Sequence, residues 1–505
     1  MALKIIMLVA FFAVMIGVGF YCRKEAQNVD GFVLGGRKVG PWLTAFAYGT
    51  SYFSAVVFVG YAGQFGWKYG IASTWAGIGN AVIGSLLAWI ILGKRTRIMS
   101  RTLNSSTMPD FFGKRFDAKS LKIGASIITF VFLIPYTASL YNGLSRLFGM
   151  AFNIDYTICV IIMAVLTGVY VIAGGYMATA INDFIQGIVM LGGIVAVIIA
   201  VINGKGGFAS AFAQMTQVSD PSVGAEQGAF ASIFGPDPIG LLGVVILTSL
   251  GTWGLPQMVQ KFYAIKDESA IKTIISTIFA LVVAGGCYFL GGFGRLFADQ
   301  IDVKAGGYDS IIPTMLSGLP DILIGIVVIL VLSASMSTLS SLVLTSSSTI
   351  TIDLVNEAKK KKMSDKSQVL LMRVLIVVFI ALSVIIAIVQ YKSNVTFIAQ
   401  LMGISWGALA GAFLAPFLYS LFWKGTTKAA CWVNFVFSVT FMLIDLFGNL
   451  TGAQILPVLL RSPINAGAFC MLAGFAIVPI VSAFTKKPSV GITEFAFSDI
   501  GKKNK

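Results

Sequence analysis

Apolar residues run along this chain in stretches of about twenty, broken by short polar segments, rather than in the alternation of strands or the one-sided stripes of surface helices. Runs such as 3–22, 369–390 and 463–484 are long enough for the roughly 20 residues that a helix needs to cross a bilayer. The runs and their breaks predict 13 spans, at about 3–22, 40–66, 71–93, 124–149, 155–174, 180–203, 236–260, 271–297, 320–350, 369–390, 394–423, 428–448 and 463–484. The expected architecture is an all-α polytopic membrane protein.

Two spans are interrupted. Span 2 reads GPWLTAFAYGTSYFSAVVFVGYAG, with Gly49, Thr50, Ser51, Tyr52 and Ser54 in mid-membrane. Span 7 reads ILTSLGTWGLPQMVQKF, with Gly251, Gly254 and Pro256 where a helix should continue. Broken backbone at membrane depth is tolerated where it is buried in protein or lines a wet cavity. A matched pair of broken spans in two halves of a chain points to a transporter binding site. The pair lies five spans apart and starts from opposite sides, as in two inverted five-helix repeats. Gly and Pro also serve plain packing in membrane helices.

Composition agrees: 57% of residues are hydrophobic and 11% charged, against about a quarter charged in a soluble protein. The first run has one Lys near its start and no Ala-x-Ala site, so it reads as a retained span. The five cysteines lie in or beside apolar runs with no paired spacing, as packing residues do. The chain has no histidine, which removes imidazole catalysis and His-ligated metal or haem. A net charge of +15 suggests nucleic acid until its placement is read. Of the 36 Lys and Arg, 28 fall in alternate loops and the C-terminal tail on one side, including a loop counted from Lys261 to Lys272, and 8 fall on the other. The richer side is cytoplasmic, placing the N-terminus outside and the C-terminus inside a cell (plasma) membrane. Anionic headgroups rather than nucleic acid meet that charge. The tail after Phe484 is polar and basic, and poor order is expected there.

Span 9 carries the most chemistry. Between Ser333 and Ser348 it holds ten hydroxyls, and Ser337, Thr338, Ser340 and Ser341 share one helical face. Neutral oxygens joined by freed carbonyls suit a hard cation held reversibly, although membrane Ser and Thr also bond to their own helix. Asp183 near the start of span 6 is either a helix cap or a cation-handling group. Asp445 in span 12 reads as a packing or interface residue. Tyr136, Asn142, Thr252, Trp253, Gln257 and Trp406 suit a solute pocket, and each alone also suits packing. No GxxxxGK[ST] occurs, so uphill transport would draw on an ion gradient. One cation entering down 100 mV supplies about 2.3 kcal/mol, a concentration ratio of roughly fifty.

GPWLTAFAYGTSYFSA, TMPDFFGKRF, YVIAGGYMATAINDFIQG with its Gly174, Gly175, Asp183, Gln186 and Gly187, GLPQMVQKF and ASMSTLSS resemble the sodium/solute symporter family over about residues 1–480. The resemblance implies a LeuT-like core of two inverted repeats. Its divisions would be 1–39 (peripheral helix and loop), 40–203 (first repeat), 204–423 (second repeat) and 424–505 (two peripheral helices and tail). It implies a sodium site of the Thr50, Phe53 and Ala334 carbonyls with the Ser337 and Thr338 hydroxyls. A second sodium site would use Asp183, Ser337, Ser340 and Ser341. The solute, an amino acid such as proline or a small carboxylate such as pantothenate or a monocarboxylate, would sit among Ser51, Tyr52, Tyr136, Asn142, Trp253 and Gln257. Tyr52 stands where the family's proline carriers have an acidic residue. The implied function is inward sodium symport by alternating access, with sodium as coupling ion and no organic cofactor. The alternatives are a proton-coupled carrier of this fold, a passive uniporter or a non-transporting sensor. No catalytic constellation is visible.

Overall fold

The computed structural model describes residues 2–266, 273–359, 361–393 and 398–500, without the side chains of Tyr52, Thr273, Lys304, Ala305 and Ser393. The described residues are all-helical, with two isolated bridges, Val39–Ile265 and Asp220–Ala225, in place of any sheet. Among the described residues ten helices are long and apolar enough to cross a bilayer, and the pair Pro238–Gly254 and Pro256–Ala264, bent by 46°, makes an eleventh if taken as one span.

Two of the ten are far longer than one crossing: Val56–Thr102 has 47 residues and Tyr156–Asn203 has 48. At about 1.5 Å per residue either would reach roughly 70 Å if straight, against about 30 Å of hydrocarbon. Each contains a glycine in a conformation that side chains avoid. Gly175 has φ 54° and ψ −148°, and a Cβ there would meet the Phe32 carbonyl oxygen at 2.9 Å. Gly70 has φ 63° and ψ −142°, and a Cβ there would lie 2.0 Å from the Phe230 carbonyl oxygen. Proline opens the helices at Pro41, Pro238, Pro256 and Pro463, where its missing N–H is not needed.

The layering differs from a soluble protein's in being apolar outside as well as inside. In the helix Asp365–Ser393, Met372, Ile376, Phe379, Ser383 and Ala387 are buried while Leu370, Val374, Val377, Ile385 and Val389 are exposed. Arg373, the one charge in this stretch, turns inward to the Ile172 carbonyl at 3.0 Å, and the outer face suits lipid. Buried from Ile324 onward almost without interruption, the helix Asp321–Thr349 lies at the centre. It packs against Tyr156–Asn203, Lys119–Phe152 and Asp365–Ser393. Beyond Phe484 the structure corrects the expectation of poor order. Val490–Phe497 is helical, and Phe497 lies 5.0 Å from the Arg115 guanidinium and 5.8 Å from the Lys424 ammonium. A buried guanidinium needs a cover, and an aromatic face gives it one.

Candidate functional site

The helix Pro41–Tyr52 stops at Phe53, whose φ of −102° and ψ of 130° are extended. Helical turns resume at Ala55 and widen over Val56–Tyr61. A stopped helix leaves its last carbonyls without the usual partner four residues on, although that of Thr50 still accepts from the Phe53 N–H at 3.2 Å. Here they turn toward the serine-rich helix Asp321–Thr349. Ser337 Oγ lies 3.2 Å from the Thr50 carbonyl oxygen and 3.0 Å from that of Ala334. Thr338 Oγ1 lies 3.3 Å from the Phe53 carbonyl oxygen and 3.2 Å from that of Ala334. All five residues are fully buried. The oxygens expected from the sequence to gather do so.

The spacing suits an ion as well as the hydrogen bonds that now span it. Oxygens about 2.3–2.6 Å from a hard cation stand about 3.3–3.7 Å apart where they subtend a right angle, close to the 3.2 and 3.3 Å contacts between the two helices. Three carbonyls and two hydroxyls carry no net charge, so the arrangement can hold a monovalent cation without locking it in.

One turn further along sits the second set. Asp183 is fully buried inside the helix Tyr156–Asn203, eight residues past the kink at Gly175, which overturns the capping reading. Ser340 and Ser341 donate to the Ser337 carbonyl at 3.0 and 3.1 Å, and Ser341 Oγ lies 3.2 Å from Ser51 Oγ. Between Asp183 and Ser341 lies Lys261, a residue that sequence reasoning placed in a cytoplasmic loop. Its ammonium donates to Ser341 Oγ at 3.0 Å, lies 3.6 Å from Asp183 Oδ2 and 5.1 Å from the Tyr176 ring centre, and the side chain is 1% exposed. Asp183 Oδ1 has no hydrogen-bond partner. The available signal was the restart of the helix at Pro256, which puts Gln257 and Lys261 on one face at i and i+4.

The expected solute residues do not form one cluster. Ser51 donates to the Ala47 carbonyl and meets Ser341, which places it in the cation layer. Tyr136 stacks edge-on against Trp406, 5.9 Å between centres, and Trp406 in turn covers Gly251 in the broken helix. Trp253 donates to the Ile83 carbonyl at 2.9 Å, and Gln257 is buried with Oε1 unpartnered. Asn142 departs from the expectation: it bonds to Gln390 and Tyr156. Six residues along a helix amount to about 9 Å and one and two-thirds turns, which sets Asn142 and Tyr136 about 120° apart around the axis. The side chain of Tyr52 lies outside the described residues. Asp445 is buried against Asn449, as a packing residue would be.

The family model for sodium:solute symporters matches residues 32–436. The osmoregulated proline transporter OpuE of Bacillus subtilis is 29% identical over 495 residues, covering 96% of this chain and 95% of that protein. A sodium/proline symporter of Staphylococcus aureus is 28% identical over 513 residues, covering 98% and 95%. Among solved structures, a substrate-bound, outward-open Na+-coupled sialic acid symporter superposes with a TM-score of 0.74 at 18% identity, covering 96% of this chain and 98% of its own, which establishes a shared fold.

Proposed function

The chain belongs to the sodium:solute symporter family, and on that premise we propose that it carries a small amino acid, proline foremost, into the cell with sodium. It is a sodium-coupled, multi-pass membrane transporter, not an enzyme. The coupling ion binds at the carbonyls of Thr50, Phe53 and Ala334 and the hydroxyls of Ser337 and Thr338. One observation carries this assignment: the freed carbonyls of Thr50 and Phe53 lie 3.2 and 3.3 Å from the Ser337 and Thr338 hydroxyls. The solute sits beside the break, against Tyr136, Trp406 and Gln257. The curated relatives named as proline transporters span almost the whole chain, which supports proline ahead of a carboxylate.

Counting the two kinked long helices as two crossings each, and each broken pair as one, gives thirteen. They would form inverted repeats over 40–203 and 204–423, with the N-terminus outside the plasma membrane and the C-terminus in the cytoplasm. Transport then proceeds by alternating access around a fixed midplane site. The test is uptake of labelled proline into proteoliposomes under an inward sodium gradient. Uptake should collapse when choline replaces sodium, and a wild-type rate independent of sodium refutes the proposal. A panel of small amino acids and carboxylates in the same assay ranks the solutes.

A further inference from the structure

We propose that the Lys261 ammonium permanently occupies the second cation position, so that this carrier binds a single sodium ion. The inference rests on the sodium reading above and sharpens it. A second ion would need Asp183, Ser340 and Ser341 beside Ser337. Two of those groups already face the ammonium, Ser341 Oγ at 3.0 Å and Asp183 Oδ2 at 3.6 Å. The ring of Tyr176, its centre 5.1 Å away, presents a cation-binding face to the same nitrogen. Lys261, Ser341 and the pair Asp183 and Tyr176 come from three separate helices, Pro256–Ala264, Asp321–Thr349 and Tyr156–Asn203, so the ammonium ties the broken helix to two others.

Charge makes the arrangement exclusive. Asp183 and Lys261 are both fully buried and neutralise each other. A sodium ion entering beside them would stand directly against the ammonium, which already faces Ser341 and Asp183, and like charges that close in a low-dielectric interior repel strongly. The neighbouring first site has no formal charge to offset it. A lysine cannot be released with the solute, so the positive charge at this position cycles with the protein while one sodium crosses.

The deciding experiment counts radioactive sodium bound to the purified full-length protein with sodium chloride alone, choline holding ionic strength constant. Wild type should bind one ion per chain. Lys261→Met should bind two, because Asp183, Ser340 and Ser341 then face each other with no resident cation. Lys261→Arg should return the count to one, and Lys261→Met with Asp183→Asn should also give one. Two ions on wild type overturn the inference and leave sodium coupling intact, as does a single ion on folded Lys261→Met. A wild-type count of zero overturns both. Should Lys261→Met not fold, the wild-type count and Lys261→Arg still decide it.

Discussion

Replacing Thr338 by valine removes one of the five oxygens while keeping the branched shape of the side chain. The hydroxyl lies 3.3 Å from the Phe53 carbonyl and 3.2 Å from that of Ala334 in a wall with no exposed surface. A contact between a polar group and a full charge is worth about 1.5–3 kcal/mol, and each 1.4 kcal/mol is about tenfold in affinity. The sodium dissociation constant should therefore rise about 10- to 100-fold. The fold loses less, about 1 kcal/mol, because one of the two bonds runs back along the same helix to a neutral carbonyl. Thermal unfolding across a sodium series, with choline holding ionic strength constant, separates the two effects. Sodium stabilises by RT ln(1 + [Na+]/Kd), so the variant's curve should shift along the concentration axis by the ratio of the two constants. Ser346→Ala is the control: its hydroxyl lies on the same helix without a hydrogen-bond partner, and its curve should overlay wild type. A Thr338→Val midpoint within about twofold of wild type, against the expected tenfold or more, would refute the site.

Three further outcomes follow from the packing. Lys122 Nζ lies 2.9 Å from Asp110 Oδ1, 3.3 Å from Glu357 Oε2 and 3.6 Å from Asp353 Oδ1. Lys122→Met strands these carboxylates together and should cost about 3–5 kcal/mol in unfolding measurements, with Lys122→Arg keeping most of it. An alanine Cβ at Gly66 would lie 2.0 Å from the Gly291 carbonyl oxygen, so Gly66→Ala should lose about 1–3 kcal/mol or more by forcing two helices apart. The same change at Gly192, where nothing lies within 4 Å, should be neutral or slightly stabilising in the same assay. In the segment 204–235, a hydrogen bond from Ser222 and then the Arg295 guanidinium hold the Asp220 carboxyl below its ordinary value. A lowered folded pKa contributes stability that is present above the unfolded value of about 3.9 and is lost as pH falls through the folded one. Asp220→Asn should thus speed hydrogen exchange in 204–235 at neutral pH, and the difference from wild type should vanish on acidification through that window.

The breaks in the two helices were legible because their cause is local. Glycine and proline weaken a helix locally, so Phe53 and Leu255 interrupt their spans close to Gly49 and to the Gly254 and Pro256 pair; clustered hydroxyls alone do not, since Asp321–Thr349 runs unbroken through ten of them. The resemblance to the symporter family named the five residues of the proposed first cation site, and their oxygens do stand together, since the Ser337 and Thr338 hydroxyls share the face that meets the break. Residues whose role depends on helix rotation were less legible. Composition alone does not give the phase of Lys119–Phe152, and Asn142 turned toward Gln390 rather than toward the face of Tyr136. Lys261 was hidden for another reason: a hydropathy reading takes a charge at the end of an apolar run as the exit from the membrane. The restart at Pro256 instead carries that charge inward to Asp183.

Coupling follows from where the oxygens come from. Thr50 and Phe53 belong to the broken helix, whereas Ala334, Ser337 and Thr338 belong to the serine-rich one. A ligand shifts a conformational equilibrium only by its different affinity for the states involved. A separation of about 1 Å between the two helices would stretch the 3.2 and 3.3 Å contacts past the roughly 3.3–3.7 Å at which adjacent oxygens share one ion, and a few ångströms would pull them out of its reach. On the proposed site, sodium would favour the state in which the helices touch and would be freed in the state in which they part. A solute seated against the same broken helix, as proposed, would stabilise the same closed arrangement, and each ligand would then raise the affinity for the other by the same factor. If Lys261 already bridges the broken helix Pro256–Ala264 to Asp183, the second repeat has its own cation in place, and the travelling ion has only the break near Phe53 left to complete.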